Sequence, residues 1–199
     1  MVRILVIFSI LILFFNFNNA FSHILEGEGF KSGITHPFMG FDHFLCMLAI
    51  GVWGKQMGGR SIWILPIVFP LIMGIGIYIG VLPNRLYIFQ ELGIALSLTV
   101  IGLAIAFNFK PKVIFSILTV SFFAIFHGYA HGMEFPLAEN PNLFLIGSMI
   151  GTSIIHIIGI GLGHLIIQLF KKDFLRVFGI LVALSSLYYI TIAFSYLFT

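Results

Sequence analysis

Six apolar runs, at residues 38–54, 61–82, 86–107, 113–133, 143–170 and 174–198, fill most of the sequence. Crossing the hydrocarbon core of a bilayer takes about 20 mostly apolar residues in a helix, and each run meets that length. The breaks between them carry turn or charge chemistry: Lys55 to Arg60 with Gly58-Gly59, Pro83-Asn84-Arg85, Lys110-Pro111-Lys112, Glu134 to Asn142, and Lys171-Lys172-Asp173. Such loops are too short for a second folded domain. No alternating strand pattern survives, which argues against a lipid-facing barrel. Only 9% of the residues are charged and 60% are hydrophobic, whereas a soluble domain carries about 25% charged residues. A surface this poor in charge excludes a soluble enzyme, a disordered tail and a nucleic-acid binder. The lone cysteine, Cys46, leaves no intramolecular disulfide and no cysteine-built metal site, and it reads as a small buried hydrophobe. The expected fold is an all-α integral membrane protein, a six-helix transmembrane bundle in one domain over 21–199.

Ahead of the bundle, residues 1–20 read as a signal peptide: Arg3, an apolar run from Ile4 to Phe15, then Asn16 to Ala20. Cleavage after Ala20 leaves residue 21 outside the cytoplasm. The alternating topology then puts Lys55, Arg60, Lys110, Lys112, Lys171, Lys172 and Arg176 inside, against Lys31 and Arg85 outside. That distribution obeys the positive-inside rule. The expected location is a bacterial inner membrane, with the mature N-terminus outside the cytoplasm.

An ionisable side chain at the centre of a span costs about 2.5–3.5 kcal/mol on insertion scales, so each is a functional candidate. The set is short: Asp42 and His43 in the first span, Glu91 in the third, His127 and His131 in the fourth, His156 and His164 in the fifth. His36 and Glu134 flank the first and fourth spans. The topology places His36, Asp42, His43, Glu91, His127, His131 and Glu134 in one band below the outer surface. His156 lies near or past the midplane and His164 nearer the cytoplasm, which draws a path inward. His36 and His43, seven residues apart, project within about 20° of one another on an ideal helix. Pro37 is expected at the first helical position, with His36 just outside. His127 and His131 are neighbours on one face, and Glu134 extends that face. Neutral imidazole with carboxylate suits Ni, Co, Zn or Fe rather than Ca or Mg. Taken singly, a histidine at a span end packs helices, Glu91 is a protonated, hydrogen-bonded acid, and Glu134 belongs to a solvated loop. Taken together, at matching depth, they point to a transition-metal site.

Gly76-x3-Gly80, Gly147-x3-Gly151 and Gly159-x3-Gly163 are small-residue faces for close helix packing. Met39, Met47 and Met133 read as filler near the cluster. Cleavage after Ala20 would expose Phe21-Ser22-His23, whose amine, two amides and imidazole can ligate Cu(II) or Ni(II) in a plane. His23 is thus a metal-collecting candidate.

The run His36-Pro37-Phe38-Met39-Gly40-Phe41-Asp42-His43, continuing Phe44 to Trp53, resembles the first-span signature of the HupE/UreJ family. Phe126-His127-Gly128-Tyr129-Ala130-His131-Gly132-Met133-Glu134 is similar to its second signature, and Gly151 to Gly163, around His156, to its fifth-span segment. The resemblance implies a nickel or cobalt permease accessory to hydrogenase, urease or cobalamin systems. It also implies that His36, Asp42 and His43, with His127, His131 and Glu134, handle the metal; Glu91 and His156 rest on the depth argument.

The expected function is uptake of a divalent ion, Ni2+ or Co2+, by a protein that is not an enzyme. Its partners are the metal ion and the lipid bilayer; no tightly bound cofactor is expected, and a homo-oligomer is left open. Two other classes stay open on the residues alone. One is a haem- or metal-binding membrane enzyme or redox protein, for which Ser153 beside His156 is the only local serine candidate for a hydrolase. The other is a non-transporting membrane metal chaperone.

Overall fold

The computed structural model describes residues 29–81, 87–134, 140–170 and 173–195, with side chains at all of these but 87, 88 and 134. The expected signal peptide, His23 and the Glu134 side chain lie outside the described residues. The elements are α1 (Gly29–Thr35), a 3-10 turn (His36–Phe38), α2 (Phe41–Met57), α3 (Ser61–Gly80), α4 (Tyr87–Ala106), α5 (Val113–Glu134), α6 (Pro141–Phe170) and α7 (Asp173–Ser195). No strand occurs among the described residues.

Five helices, α3 to α7, are long and apolar enough to cross a membrane. A sixth span results when Gly29–Phe38 and Phe41–Met57 are taken together, although they meet at 76°. The first span is therefore not the single helix that the apolar run 38–54 predicts. Pro37 has no N–H to continue the ladder from α1. The chain closes a 3-10 turn instead, with Met39 N donating to His36 O at 2.9 Å, and Gly40 (φ −82°, ψ 113°) is extended before α2 begins. Pro37 accordingly sits inside the turn with His36, rather than opening α2.

Glycines set the helix pairing. A Cβ on Gly76 would lie 2.5 Å from Ile125 O, and one on Gly128 would overlap Met73 O, so α3 and α5 touch backbone to backbone. On the α4–α7 seam, a Cβ on Gly102 would lie 2.6 Å from Ala183 N and one on Gly179 2.5 Å from Gly102 O. Gly51 of α2 packs on the His156 carbonyl of α6, and Gly33 of α1 packs on that of Phe144. Such close approach is how helices associate where lipid offers no hydrophobic contrast. The glycine faces expected at 76/80, 147/151 and 159/163 all sit at helix contacts. Large apolar side chains cover the outside, among them Ile67, Leu71 and Ile75 of α3, and Ile157 and Ile158 of α6. The buried core includes Trp53, Phe69, Met73, Ile77, Leu98 and Ile101.

Candidate metal centre

The start of α2, the end of α5 and the middle of α6 supply the site. Gly40 lets α2 begin sharply, and Asp42 falls in its first turn, where unpaired N–H groups and the helix dipole favour a carboxylate. Asp42 Oδ1 accepts from the His43 backbone N–H at 2.8 Å and from His43 Nδ1 at 3.0 Å. The pair is 14–15% exposed, and a Cβ on Gly40 would stand 3.2 Å from both Asp42 Oδ1 and His43 Nδ1. Glycine there leaves the pair uncovered.

In α5, Gly128 and Gly132 press the helix against the Met73 and Ile77 carbonyls of α3. His127 and His131 precede those glycines by one residue, about 100° round the helix, and are fully buried. Their rings meet the residues ahead of them. His43 lies 4.9 Å from His127 and 5.2 Å from His131 between centroids, and His36 lies 4.7 Å from His131. Four imidazoles from α2, α5 and the 3-10 turn thus form one cluster. The bend brings His36 to it through His131, not through the shared face with His43 that a straight helix predicts. Glu91, in the second turn of α4, is within Coulombic reach of Asp42 and His43 and accepts from Gln90 Nε2 at 3.2 Å.

Beyond the cluster stands Phe69 of α3. Its ring is edge-on to His127 on one side and to His156 on the other, at 5.3 Å in each case. His156 is fully buried halfway along α6. His164 is exposed, so the inward path expected to continue through it stops at His156. Ser153 donates to Met149 O at 2.8 Å and does not pair with His156.

Proton positions follow from these contacts. Asp42 holds Nδ1 of His43, Phe123 O faces Nδ1 of His127 at 3.0 Å, and Pro66 O faces Nδ1 of His156 at 3.3 Å. Each oxygen only accepts, so in the neutral rings Nδ1 carries the proton and Nε2 the lone pair. Nε2 of His127 and of His156, and both nitrogens of His131, are buried with no hydrogen-bond partner. An uncompensated buried polar atom costs about 1–3 kcal/mol. Anchoring a histidine through one nitrogen to leave the other for a metal is the usual arrangement around bound metals. Among the described residues no three His, Cys, Asp or Glu donors already converge on one point, so ligation needs rotation of the rings.

Of the sequence candidates, His36, Asp42, His43, His127 and His131 come together, Glu91 stands near them, and His156 lies across Phe69. Phe69 of α3 carries no signal in residue type alone; the two prolines of the same helix do. Pro66-x3-Pro70 inside an apolar run was the available clue, because a proline in a span strands a carbonyl. Cys46, one turn after Asp42 on α2, is buried and 3.1 Å from Ser97 Oγ. A cavity of about 200 Å3 at the other end of the bundle is lined by Gln56, Asn108, Lys110, Asp173 and Arg176, a lining unlike that of the histidine cluster.

Comparisons with known proteins place the chain in a family. A family model described as HupE / UreJ protein matches residues 10–189. The chain is 36% identical over 167 residues to "Protein HupE" of Rhizobium leguminosarum bv. viciae, covering 83% of this chain and 87% of that protein. No solved structure matches.

Proposed function

The chain belongs to the HupE/UreJ family, and from that premise we propose that it is an inner-membrane permease for a divalent transition-metal ion, nickel or cobalt. In this reading the histidine-bearing end faces outward, in keeping with the positive-inside rule applied to the basic residues of the opposite loops. Hydrated ion arrives at the Asp42–His43 pair, and imidazole nitrogens with the Asp42 carboxylate replace its water. It passes along His43, His131 and His127 to His156, with Phe69 separating the two stages and keeping water from running through. An inside-negative potential drives a divalent ion inward by about 4.6 kcal/mol per 100 mV, twice the value for a single charge.

One observation carries this function: Nδ1 of three imidazoles in an apolar bundle faces an oxygen, and Nε2 of His127 and of His156 is buried with no hydrogen-bond partner. Helix packing alone gives no reason to bury imidazole nitrogens without partners. Accumulation of radiolabelled nickel and cobalt in cells expressing the chain tests it, with His36→Ala, Asp42→Ala and His43→Ala at matched expression. Uptake by the wild type and loss in the variants are expected. Unchanged uptake in all three variants would remove the site assignment.

A further inference from the structure

We propose that Pro70 is a positioning residue that makes His156 a second, deeper binding station for a divalent transition-metal ion. This rests on the permease reading above and adds a device to it. In an α-helix the N–H of residue 70 would donate to the carbonyl of residue 66. Proline has no N–H, so Pro70 strands the Pro66 carbonyl inside the bundle. That carbonyl is taken by another helix: His156 Nδ1 of α6 donates to it at 3.3 Å. The bond fixes the neutral ring as the Nδ1–H form, and Nε2 is left buried as an acceptor with no partner.

The surroundings suit a borderline-soft ion. Thr152, one turn before His156 on α6, donates its hydroxyl to Met73 Sδ at 3.6 Å. Imidazole suits nickel, copper or zinc rather than magnesium or calcium. Pro66 makes the contrast. Its missing N–H strands the carbonyl of Ile62 instead, so the Pro66 ring can be lost without releasing His156. The two prolines lie in one helix, yet only Pro70 sets this imidazole.

The test uses the full chain in lipid nanodiscs with 15N-labelled histidine, and His156→Gln identifies the His156 signal. Wild type and Pro66→Ala are expected to show the Nδ1–H form. Pro70→Ala restores the helical donor, so it is expected to lose that form and to lower nickel uptake in cells at least fivefold, a larger loss than in Pro66→Ala. Added Co2+ alone should broaden the His156 signal in the wild type, an arm that needs no variant. An unaltered tautomer in Pro70→Ala, equal losses in both proline variants, or a His156 signal untouched by saturating Co2+ would each overturn the proposal. Absence of uptake by the wild type, with the tautomer and Co2+ results as expected, would count against the permease reading alone.

Discussion

The α4–α7 seam and the group formed by α2, α3, α5 and α6 are built with the same packing device, but they treat polar atoms in opposite ways. In both, glycines bring backbones into contact. Along the α4–α7 seam the hydroxyls are satisfied: Thr99 Oγ1 and Ser186 Oγ lie 2.7 Å apart, and Ser185 Oγ donates to Val182 O at 2.7 Å. In the other group, Nε2 of His127 and His156, both nitrogens of His131, Gln56 Oε1 and Ser148 Oγ are buried without partners, whereas α4 contributes Gln90 Oε1 alone among the described residues. Close packing is therefore general to the bundle, while four of the seven buried side-chain atoms without a partner among the described residues are imidazole nitrogens. A scaffold can satisfy its polar atoms internally; a site for a passing ion has to leave some unsatisfied.

Substitutions can break or sharpen that contrast. The largest effect is expected from Gly128→Leu. Its side chain would collide with Met73 O and Gly76 Cα, costing about 3 kcal/mol and displacing the adjacent His127. Gly179→Leu should cost a similar amount on the α4–α7 seam yet keep the stabilisation by Co2+ that ligand linkage predicts. Thermal unfolding in detergent with and without Co2+ separates the two; equal loss of the Co2+ effect would erase the contrast.

Next comes Asp42→Asn, which preserves shape but removes the carboxylate that orients His43. Substitution of such a supporting partner typically lowers metal affinity 10–100-fold, and Co2+ titration of the purified protein should fall within that range. Full affinity in this variant would mean that the charge of Asp42 has no part in binding, since the amide oxygen of asparagine can still accept from His43.

The smallest effects form a mirrored pair. Thr99→Val should destabilise by about 0.6 kcal/mol, the usual worth of an interhelical hydrogen bond in lipid, with uptake unchanged. Ser148→Ala removes a hydroxyl that has no partner, so stability should hold or rise. Denaturation of the two variants side by side would reverse the comparison if Ser148→Ala proved the more damaging.

Much of this was legible in the sequence, for a physical reason. Charges are so costly in lipid that the few retained mark either a loop or a site, and so the long spans and the histidine band could be read directly. The four-residue spacing of His127 and His131 placed them on one face, as observed. The bend at Pro37 and Gly40 was not readable, because α1 is too short to announce itself beside an apolar run. Nor was the place of His156, whose anchor lies 90 residues away at Pro66. Helix pairing decides that contact, and many glycine faces can pair. His164 misled because depth was inferred from position along the helix, and position does not tell inside from outside.

Flux through the purified chain tests the central claim most directly. Protein reconstituted in liposomes, with an inside-negative potential imposed, should take up radiolabelled nickel or cobalt. The double variant Asp42→Ala, His43→Ala should reduce the flux to that of empty liposomes. Equal flux through the wild type and the double variant would contradict a path that begins at this pair.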